Sequence, residues 1–258
     1  MTYGSFLSGV FLLIAQLSAP PAALVELPAY EPGAPVVRYT AHTLQYNNTW
    51  RNPDWVAYEL TAEEAETILV KRASRFVTDS RPEVTSAEDS DYRRSGYDRG
   101  HLAPAADMRF SPEAMRDCFY YSNIAPQHPR LNRGIWLTLE NRTRQWAKEY
   151  GAVFITTGPV YSSGDTTIGN NQVRVPAAFY KVLLDYRSRP PKAAGFLFPN
   201  TDEGPGTLAG HMVPVDAVEA ATGIDFFAAL PDSVEALLEG SVNPASWLSG
   251  EGETHEPQ

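Results

Sequence analysis

The amino-acid sequence predicts an α+β fold in which a mixed central β-sheet is flanked by helices. Trp55–Thr61 alternates apolar and polar residues, as a half-buried strand does, and Ala152–Thr157 is a short apolar, β-branched run. Between them, Asn132–Tyr150 contains no proline and repeats apolar residues at helical spacing. The 258 residues fit one large domain or two small ones, and a hydrophobic content of 43% is ample for a packed core.

The amino terminus predicts a secretory signal peptide over residues 1–23, because an apolar run at Phe6–Leu17 is followed by small residues. No Lys or Arg precedes the run, so an uncleaved membrane anchor is the alternative, although about 12 residues is short for a bilayer. We therefore expect a secreted or periplasmic protein with no stable membrane partner once the leader is removed. Residues 24–38 are expected to form a linker or extended arm, residues 39–248 the folded domain and residues 249–258 a flexible tail.

Two helix starts are predicted in the first half of the chain. Thr61 and the acidic residues after it form a capping box, and Ser111 followed by Pro112 has the pattern of an N-cap and first turn.

Residues 83–94 are polar and without periodicity, which predicts a loop. Cys118 is the single cysteine, which excludes an internal disulfide or a Cys-rich zinc site, and it is expected to be a buried apolar residue.

The second half of the chain supplies further strands and a short helix. Val173–Tyr186 has strand composition interrupted by a proline, and Ala194–Phe198 is a second short strand. Pro214–Thr222 predicts a helix that Gly223 ends. Ile224–Asp232 is assigned to packing.

The formal charge of −10 argues at first against a nucleic-acid partner, because polyanion binding depends on Lys and Arg. The distribution of charge changes that argument. Residues 71–148 carry 14 Lys/Arg against 10 Asp/Glu, whereas residues 193–258 carry no Lys or Arg and 11 acids. A locally cationic cleft in the first half is compatible with a nucleic-acid substrate. Scattered solubilising charge is the alternative interpretation.

The stretch Tyr97–Met108, Y-D-R-G-H-L-A-P-A-A-D-M, carries the chemistry. It places the Asp98 carboxylate, the Arg99 guanidinium and the His101 imidazole side by side. Phosphodiester hydrolysis needs a base for the attacking water and positive charge for the phosphorane and the leaving oxygen. On these residues alone, a surface ion pair and a turn histidine are the favoured explanation of the motif, since short motifs have many false positives.

The longer context distinguishes these interpretations. Together with Ser122–Gln127, S-N-I-A-P-Q, and Leu131–Glu140, L-N-R-G-I-W-L-T-L-E, the stretch closely resembles the DNA/RNA non-specific endonucleases of the ββα-metal superfamily, of endonuclease G type. The resemblance runs from about Trp55 to about Glu239. It implies a ββα-metal finger within the α+β fold, and an endonuclease that cleaves DNA and RNA with little sequence preference and leaves 5′-phosphates.

The resemblance also implies catalytic roles. His101 corresponds to the general base, and Asn132 to the one direct protein ligand of a Mg²⁺, for which Mn²⁺ is a substitute. Oxygen ligands and retained waters suit Mg²⁺. Glu140 would orient a metal-bound water, and Arg99 and Arg144 would add positive charge. On a single helix starting near Asn132, the four-residue spacing would place Asn132, Glu140 and Arg144 along one edge.

Four further residues match positions that contact substrate or support the site. Arg75 is the first choice for a phosphate contact and Arg72 the second, with solvated surface charge as the alternative. Asn123 and Gln127 match supporting positions, with ordinary turn and capping amides as the alternative. DNA and RNA are the expected partners. The resemblance is compatible with a homodimer, since members of the family are often dimers, and the sequence leaves the oligomeric state open.

Two rival functions remain compatible with the sequence. A catalytically silent nucleic-acid-binding module would keep the fold, and a phosphodiesterase or phosphatase acting on small substrates would share the metal chemistry. The sequence contains no Walker-type phosphate loop, no dinucleotide fingerprint and no G-x-S-x-G elbow.

Overall fold

The structure is a computed structural model that describes residues 25–202 and 206–248. Its main element is a seven-stranded sheet in the order β1-β2-β3-β6-β9-β10-β11, with antiparallel pairing between all neighbours. The strands are β1 Val36–Arg38, β2 Thr43–Asn47, β3 Asn52–Thr61, β6 Ala152–Val160, β9 Ala178–Asp185, β10 Lys192–Pro199 and β11 Met212–Val213. The α+β class is confirmed, while the sheet expected to be mixed is antiparallel along these strands.

Smaller elements surround the sheet. Two antiparallel ribbons are formed by β4 Asp98–His101 with β5 Ile124–Gln127, and by β7 Thr167–Ile168 with β8 Val173–Arg174. The helices are α1 Ala62–Glu66, α2 Asp89–Tyr92, α3 Pro112–Asp117, α4 Pro129–Asn132, α5 Ile135–Tyr150, α6 Leu208–His211, α7 Val215–Thr222, α8 Asp232–Glu239 and α9 Pro244–Leu248.

Both faces of the sheet are covered. On β3, Val56, Tyr58 and Leu60 belong to a hydrophobic core that also contains the apolar face of α5. Trp55 and Ala57, which point the other way, belong to a second core formed with α7 and α8. The strand is therefore buried on both faces, whereas the alternating pattern predicted a half-buried one. Large side chains on both faces are consistent with this double burial.

The predicted arm over residues 24–38 is extended and packed where it is described. Val25 is fully buried, Leu27 is nearly so, and Val37 pairs with Leu44 at the edge of the sheet. The predicted signal peptide and C-terminal tail lie outside the described residues. Within residues 25–202 and 206–248, none of the helices has the length and apolar character needed to cross a bilayer.

The predicted helix ends are confirmed. Thr61 forms a capping box with Glu64, whose N–H donates to Thr61 Oγ1 at 3.2 Å while Glu64 Oε2 accepts from the Thr61 N–H at 2.9 Å. Ser111 caps α3 through two backbone N–H groups, and Gly223 ends α7 with a φ of 72°. Cys118 is fully buried, as predicted.

The helix predicted over Asn132–Tyr150 is two helices. α4 ends at Asn132, and α5 begins at Ile135 after Gly134. A Cβ on Gly134 would lie 2.4 Å from the Arg130 carbonyl oxygen, so the close turn between the helices requires glycine. Asn132 therefore precedes the helix that carries Glu140, and the two do not share one helical edge.

A smaller expectation also needs correction. Residues 83–94, predicted as a loop, contain the short helix α2, in which Asp91 and Tyr92 are buried. Asp91 accepts hydrogen bonds from the backbone and side chain of Asn171, and this distant contact holds a segment that has no helical periodicity. The sequence motif D-R-G-H itself forms strand β4, which His101 ends.

Candidate active site

The β4–β5 ribbon and the helices α4 and α5 build the candidate site. Asp98 pairs with Gln127 and His101 with Ile124 across the ribbon. A Cβ on Gly100 would lie 2.5 Å from Gln127 Oε1 and 2.7 Å from Gln127 Cβ, so glycine is required between Arg99 and His101. The D-R-G-H order therefore reflects a close backbone approach as well as chemistry.

His101 packs in an apolar pocket, where one of its ring nitrogens has no hydrogen-bond partner among the described residues. The side chain packs edge-on against Phe119, with ring centroids 4.9 Å apart, and against Phe76 at 5.2 Å. The residue is 8% exposed, and its Nε2 atom has no hydrogen-bond partner among the described residues. Burial, followed by the nearby Arg72 charge, lowers the pKa of His101 to about 3. The imidazole is therefore neutral at neutral pH and able to accept a proton.

Asn132 is oriented by Asp98, the first residue of the D-R-G-H sequence. Its Nδ2 donates to Asp98 Oδ2 at 2.9 Å, and Arg133 donates to both oxygens of the same carboxylate at 2.7 and 2.6 Å. Burial alone would raise the pKa of Asp98, but the hydrogen bonds from Arg133 and Asn132 outweigh it and hold that pKa below its usual value. The amide is thereby fixed through its nitrogen, and its Oδ1 is the atom available to a cation.

Glu140 lies close to the buried charged groups Lys181, Asp107 and Arg144. Lys181 was not identified from the sequence. Burial raises the pKa of Glu140, and the positive charge of Lys181 opposes that effect. Lys181 is 1% exposed, and its Nζ lies 4.9 Å from the centre of the Trp136 ring. A single lysine within the apolar strand run F-Y-K-V-L-L was the sequence signal that could have identified it, since buried lysines are rare unless paired.

Arg144 points into the protein. Its Nη1 lies 2.6 Å from Asp107 Oδ1, and the two side chains are 14% and 1% exposed. Tyr58 donates to the other oxygen of Asp107 at 2.8 Å, and Asn141 accepts from Arg144. This placement supports a structural charge pair, and the phosphate contact implied by the resemblance stays a prediction.

A cleft of about 500 Å³ opens over these groups. It is lined by Lys71, Arg72, Arg99, His101, Pro104, Ala105, Ala106, Arg109, Asn132, Arg133, Leu137 and Glu140. Five cationic side chains thus face one carboxylate, so the cleft attracts anions. A larger cavity of about 610 Å³ lies elsewhere, lined by Trp50, Trp55 and Asp225 among others, and does not include the site residues.

The predicted substrate contacts fall in different places. Arg72 lines the cleft beside His101, whereas Arg75 lies in an adjoining hollow that Arg99 also lines. Arg99 is anchored there, since its Nη2 donates to Asp89 Oδ1 at 2.7 Å and its Nε to the Tyr121 hydroxyl at 2.9 Å. The cationic surface therefore continues past the cleft.

Asn123 and Gln127 are buried. Asn123 accepts a hydrogen bond from the Ala103 N–H and donates to the carbonyls of Ala103 and Cys118, all at 2.9 Å. The side-chain oxygen and nitrogen of Gln127 have no partner among the described residues. The placement of Asn123 supports a role in fixing the loop after His101, and not a direct contact with substrate.

Comparison with known proteins identifies the family. A family model described as DNA/RNA non-specific endonuclease matches residues 22–233. The chain belongs to the DNA/RNA non-specific endonuclease family. The zebrafish (Danio rerio) protein named "Nuclease EXOG, mitochondrial" is 36% identical over 215 residues, which are 78% of this chain and 63% of that protein. Human "Endonuclease G, mitochondrial" is 35% identical over 217 residues, covering 78% and 73%.

A solved structure supports the same membership. The EndoG/EndoGI complex, determined to explain EndoG inhibition, matches with a TM-score of 0.72 and 28% identity, over 83% of this chain and 95% of that chain. This likeness agrees with the ββα-metal fold predicted from the sequence. The recognition made from the three motif blocks is confirmed.

The expectation of export is wrong for this family member. The relatives matched over most of the chain are named mitochondrial nucleases, including those of Schizosaccharomyces pombe and Saccharomyces cerevisiae. The prediction depended on an apolar run without a preceding Lys or Arg, so its positively charged n-region was missing. An apolar run of this length does not by itself specify secretion.

Proposed function

We propose that the chain is a divalent-metal-dependent endonuclease that hydrolyses phosphodiester bonds in DNA and RNA with little sequence preference. One observation carries the proposal: His101 lines a cleft together with five cationic side chains, and its buried Nε2 has no hydrogen-bond partner among the described residues. Membership of a metal-dependent nuclease family and the nuclease names of the relatives support it.

His101 is the general base in this proposal. Its Nε2 accepts a proton from a water molecule, which then attacks phosphorus in line with the departing 3′-oxygen and leaves a 5′-phosphate. The lowered pKa keeps the imidazole in its accepting form, and the packing against Phe119 and Phe76 fixes its direction. A positioned base of this kind contributes about 10²–10⁴-fold to the rate.

The residues beside His101 fit a hard divalent cation. Asn132 offers Oδ1 because its nitrogen is held by Asp98, and Glu140 offers a carboxylate on the same cleft. Oxygen donors with room for water are what Mg²⁺ prefers, and Mn²⁺ accepts the same ligands. When bound, the cation supplies positive charge for the phosphorane and the leaving oxygen. We assign Asn132 to direct binding and Glu140 to orienting water.

Weak selectivity follows from the kind of contact the cleft offers. Arg72, Arg99 and Arg109 present guanidinium groups suited to phosphate oxygens, which carry no sequence information. Arg75 extends this surface beyond the cleft. Because the nucleophile is water and not the ribose 2′-hydroxyl, either sugar is accepted.

The proposal is tested by incubating the purified protein with supercoiled plasmid and with total RNA, in Mg²⁺ and in EDTA. We expect cleavage of both substrates in Mg²⁺ and of neither in EDTA. The plasmid products should accept a labelled phosphate from polynucleotide kinase only after phosphatase treatment, because their 5′ ends are already phosphorylated. Gel electrophoresis and end labelling give both readouts.

Two outcomes would contradict the proposal. If folded protein bound DNA without cleaving it in any divalent metal, a silent binding module would be the better description. If it hydrolysed a small diester such as bis(p-nitrophenyl) phosphate but left circular plasmid intact, the protein would be a small-substrate phosphodiesterase.

Arg144→Ala should lower the melting temperature by about 6–20 °C, because removing one partner of a buried pair costs about 3–5 kcal/mol. The Asp107 carboxylate would be left 1% exposed without its cation. Differential scanning calorimetry measures the shift. Arg93→Ala removes an exposed pair with Asp89, in which the two side chains are 71% and 56% exposed, and should change stability by less than about 1 kcal/mol.

The same variant tests the phosphate contact that the resemblance implies for Arg144. If Arg144 contacts phosphate, the salt dependence of DNA binding should fall by about one unit of slope relative to wild type. An unchanged slope together with a lowered melting temperature would restrict Arg144 to the structural pair.

A further inference from the structure

Three carboxylates converge where α7 and α8 meet, far along the chain from the candidate active site. Asp216 and Glu219 lie one turn apart on α7, and Glu239 is the last residue of α8. One oxygen from each of the three side chains lies within 4.8 Å of the other two. Asp216 is exposed, Glu219 is half-buried and Glu239 is buried.

The Glu239 carboxylate lacks the partners that a buried acid needs. The residue is 5% exposed, and its buried Oε1 has no hydrogen-bond partner among the described residues. An unpaired buried charge is costly, so such groups are normally paired or bind a metal. The charged groups that face Glu239 are Glu219, Glu235, Asp216 and Asp225.

Among the described residues, the charged groups that act on Glu239 and Glu219 are all acidic. The sequence from residue 193 to the C-terminus contains no Lys or Arg. Glu219 Oε1 accepts a hydrogen bond from the Phe226 N–H at 2.9 Å, which fixes that side chain towards the loop between the two helices. In the part of the chain that the structure describes, neither carboxylate has a cationic neighbour that would neutralise it.

We propose that Asp216, Glu219 and Glu239 bind a calcium ion that ties α7 to α8. Ca²⁺–oxygen distances of about 2.3–2.6 Å allow two ligands of one ion to lie up to about 5 Å apart. The three carboxylate oxygens, all within 4.8 Å of one another, are close enough to share one ion. The donors are all oxygen, and Ca²⁺ tolerates irregular geometry with water in its remaining positions. The site is independent of nuclease function, and its role is to join the two helices.

The experiment is thermal unfolding with and without about 10 mM Ca²⁺, a concentration about tenfold above the dissociation constant of a moderately weak site. We expect the melting temperature to rise by about 3–6 °C at neutral pH. Asn132→Ala protein should show the same rise, because the active-site ligand is not involved. Asp216→Asn/Glu219→Gln protein should show none.

Asp232→Asn is the matched control, because it removes one exposed charge from α8 outside the cluster and should keep the rise. A wild-type melting temperature that Ca²⁺ does not change would overturn the proposal, as would an equal rise in the double variant or no rise in Asn132→Ala protein. If the double variant does not fold, calorimetric titration of Asn132→Ala protein decides the question. One bound Ca²⁺ supports the site, and none overturns it.

Discussion

His101→Ala should reduce cleavage of supercoiled plasmid by about 10²–10⁴-fold while the protein remains folded, because a positioned general base contributes a factor of that size. The effect should appear in the turnover rate and not in the affinity for DNA. His101 makes ring contacts with Phe76 and Phe119, but its Nε2 bonds to no other described group. The side chain is thus placed for chemistry more than for binding.

The loss should be rescued by a small base. Removing the ring leaves a hollow lined by Phe76 and Phe119 that opens to the cleft, so added imidazole should restore part of the activity. His128→Ala is the matched control. His128 caps α4 through Nδ1, which accepts from the Arg130 N–H, and its loss should leave turnover near normal.

Binding, turnover and rescue together decide the role of His101. Near-normal turnover by His101→Ala would remove it from the base role. Loss of DNA binding in parallel with turnover would point instead to a collapsed cleft. His101→Asn keeps more of the volume and distinguishes a packing defect from the loss of a base, since asparagine cannot accept the proton.

The parts of the site that could be predicted from sequence are those formed by short stretches of chain. The three motif blocks lie within residues 97–140, and the β4–β5 ribbon with α4 and α5 is built from the same residues. Caps such as Thr61 and Ser111 act on their own first turns, so local sequence specifies them. The motif recognition and the helix starts both depended on such local information.

The parts that could not be predicted depend on sheet register and distant contacts. Lys181 reaches the neighbourhood of Glu140 from β9, which lies beside β6 in the sheet, and Asp107 pairs with Arg144 across 37 residues. Neither neighbour is visible in a spacing pattern. The break at Gly134 was hidden because proline-free apolar spacing continues through it, although the turn requires a residue without a side chain.

The uneven distribution of charge along the sequence corresponds to two features of the fold, a cationic cleft and a cluster of carboxylates. Five cationic side chains from residues 71–133 line one cleft, so a net-acidic protein still offers an anion-binding surface. In the acidic half, Glu239 follows Asp216 by 23 residues along the chain. It meets Asp216 and Glu219 only because α7 and α8 pack together. The composition indicated an excess of acids there, but only the fold brings three of them to one point.

Asn132→Ala should abolish most turnover and remove its dependence on Mg²⁺, because the protein would lose its direct ligand for the ion. A divalent cation contributes several kcal/mol of charge stabilisation in such reactions, so the expected loss is at least about 10³-fold. Metal titrations of plasmid cleavage measure the activity. Mn²⁺ binding is measured by electron paramagnetic resonance in protein carrying Asp216→Asn/Glu219→Gln, which lacks the proposed second cation site. Adding Asn132→Ala to that protein should reduce the number of bound Mn²⁺ ions from one to none.

The control must separate metal binding from the orientation of the amide. Asn141→Ala removes an exposed amide on α5 whose oxygen accepts from Arg144, and it should leave the Mg²⁺ titration unchanged. Asp98→Asn keeps Asn132 but weakens the charge that holds its Nδ2 at 2.9 Å, so it should weaken metal binding without eliminating it. If Asn132→Ala protein gave the same Mg²⁺ titration as wild type, the ligand assignment would be refuted. This variant lacks the side-chain oxygen that Asp98 positions.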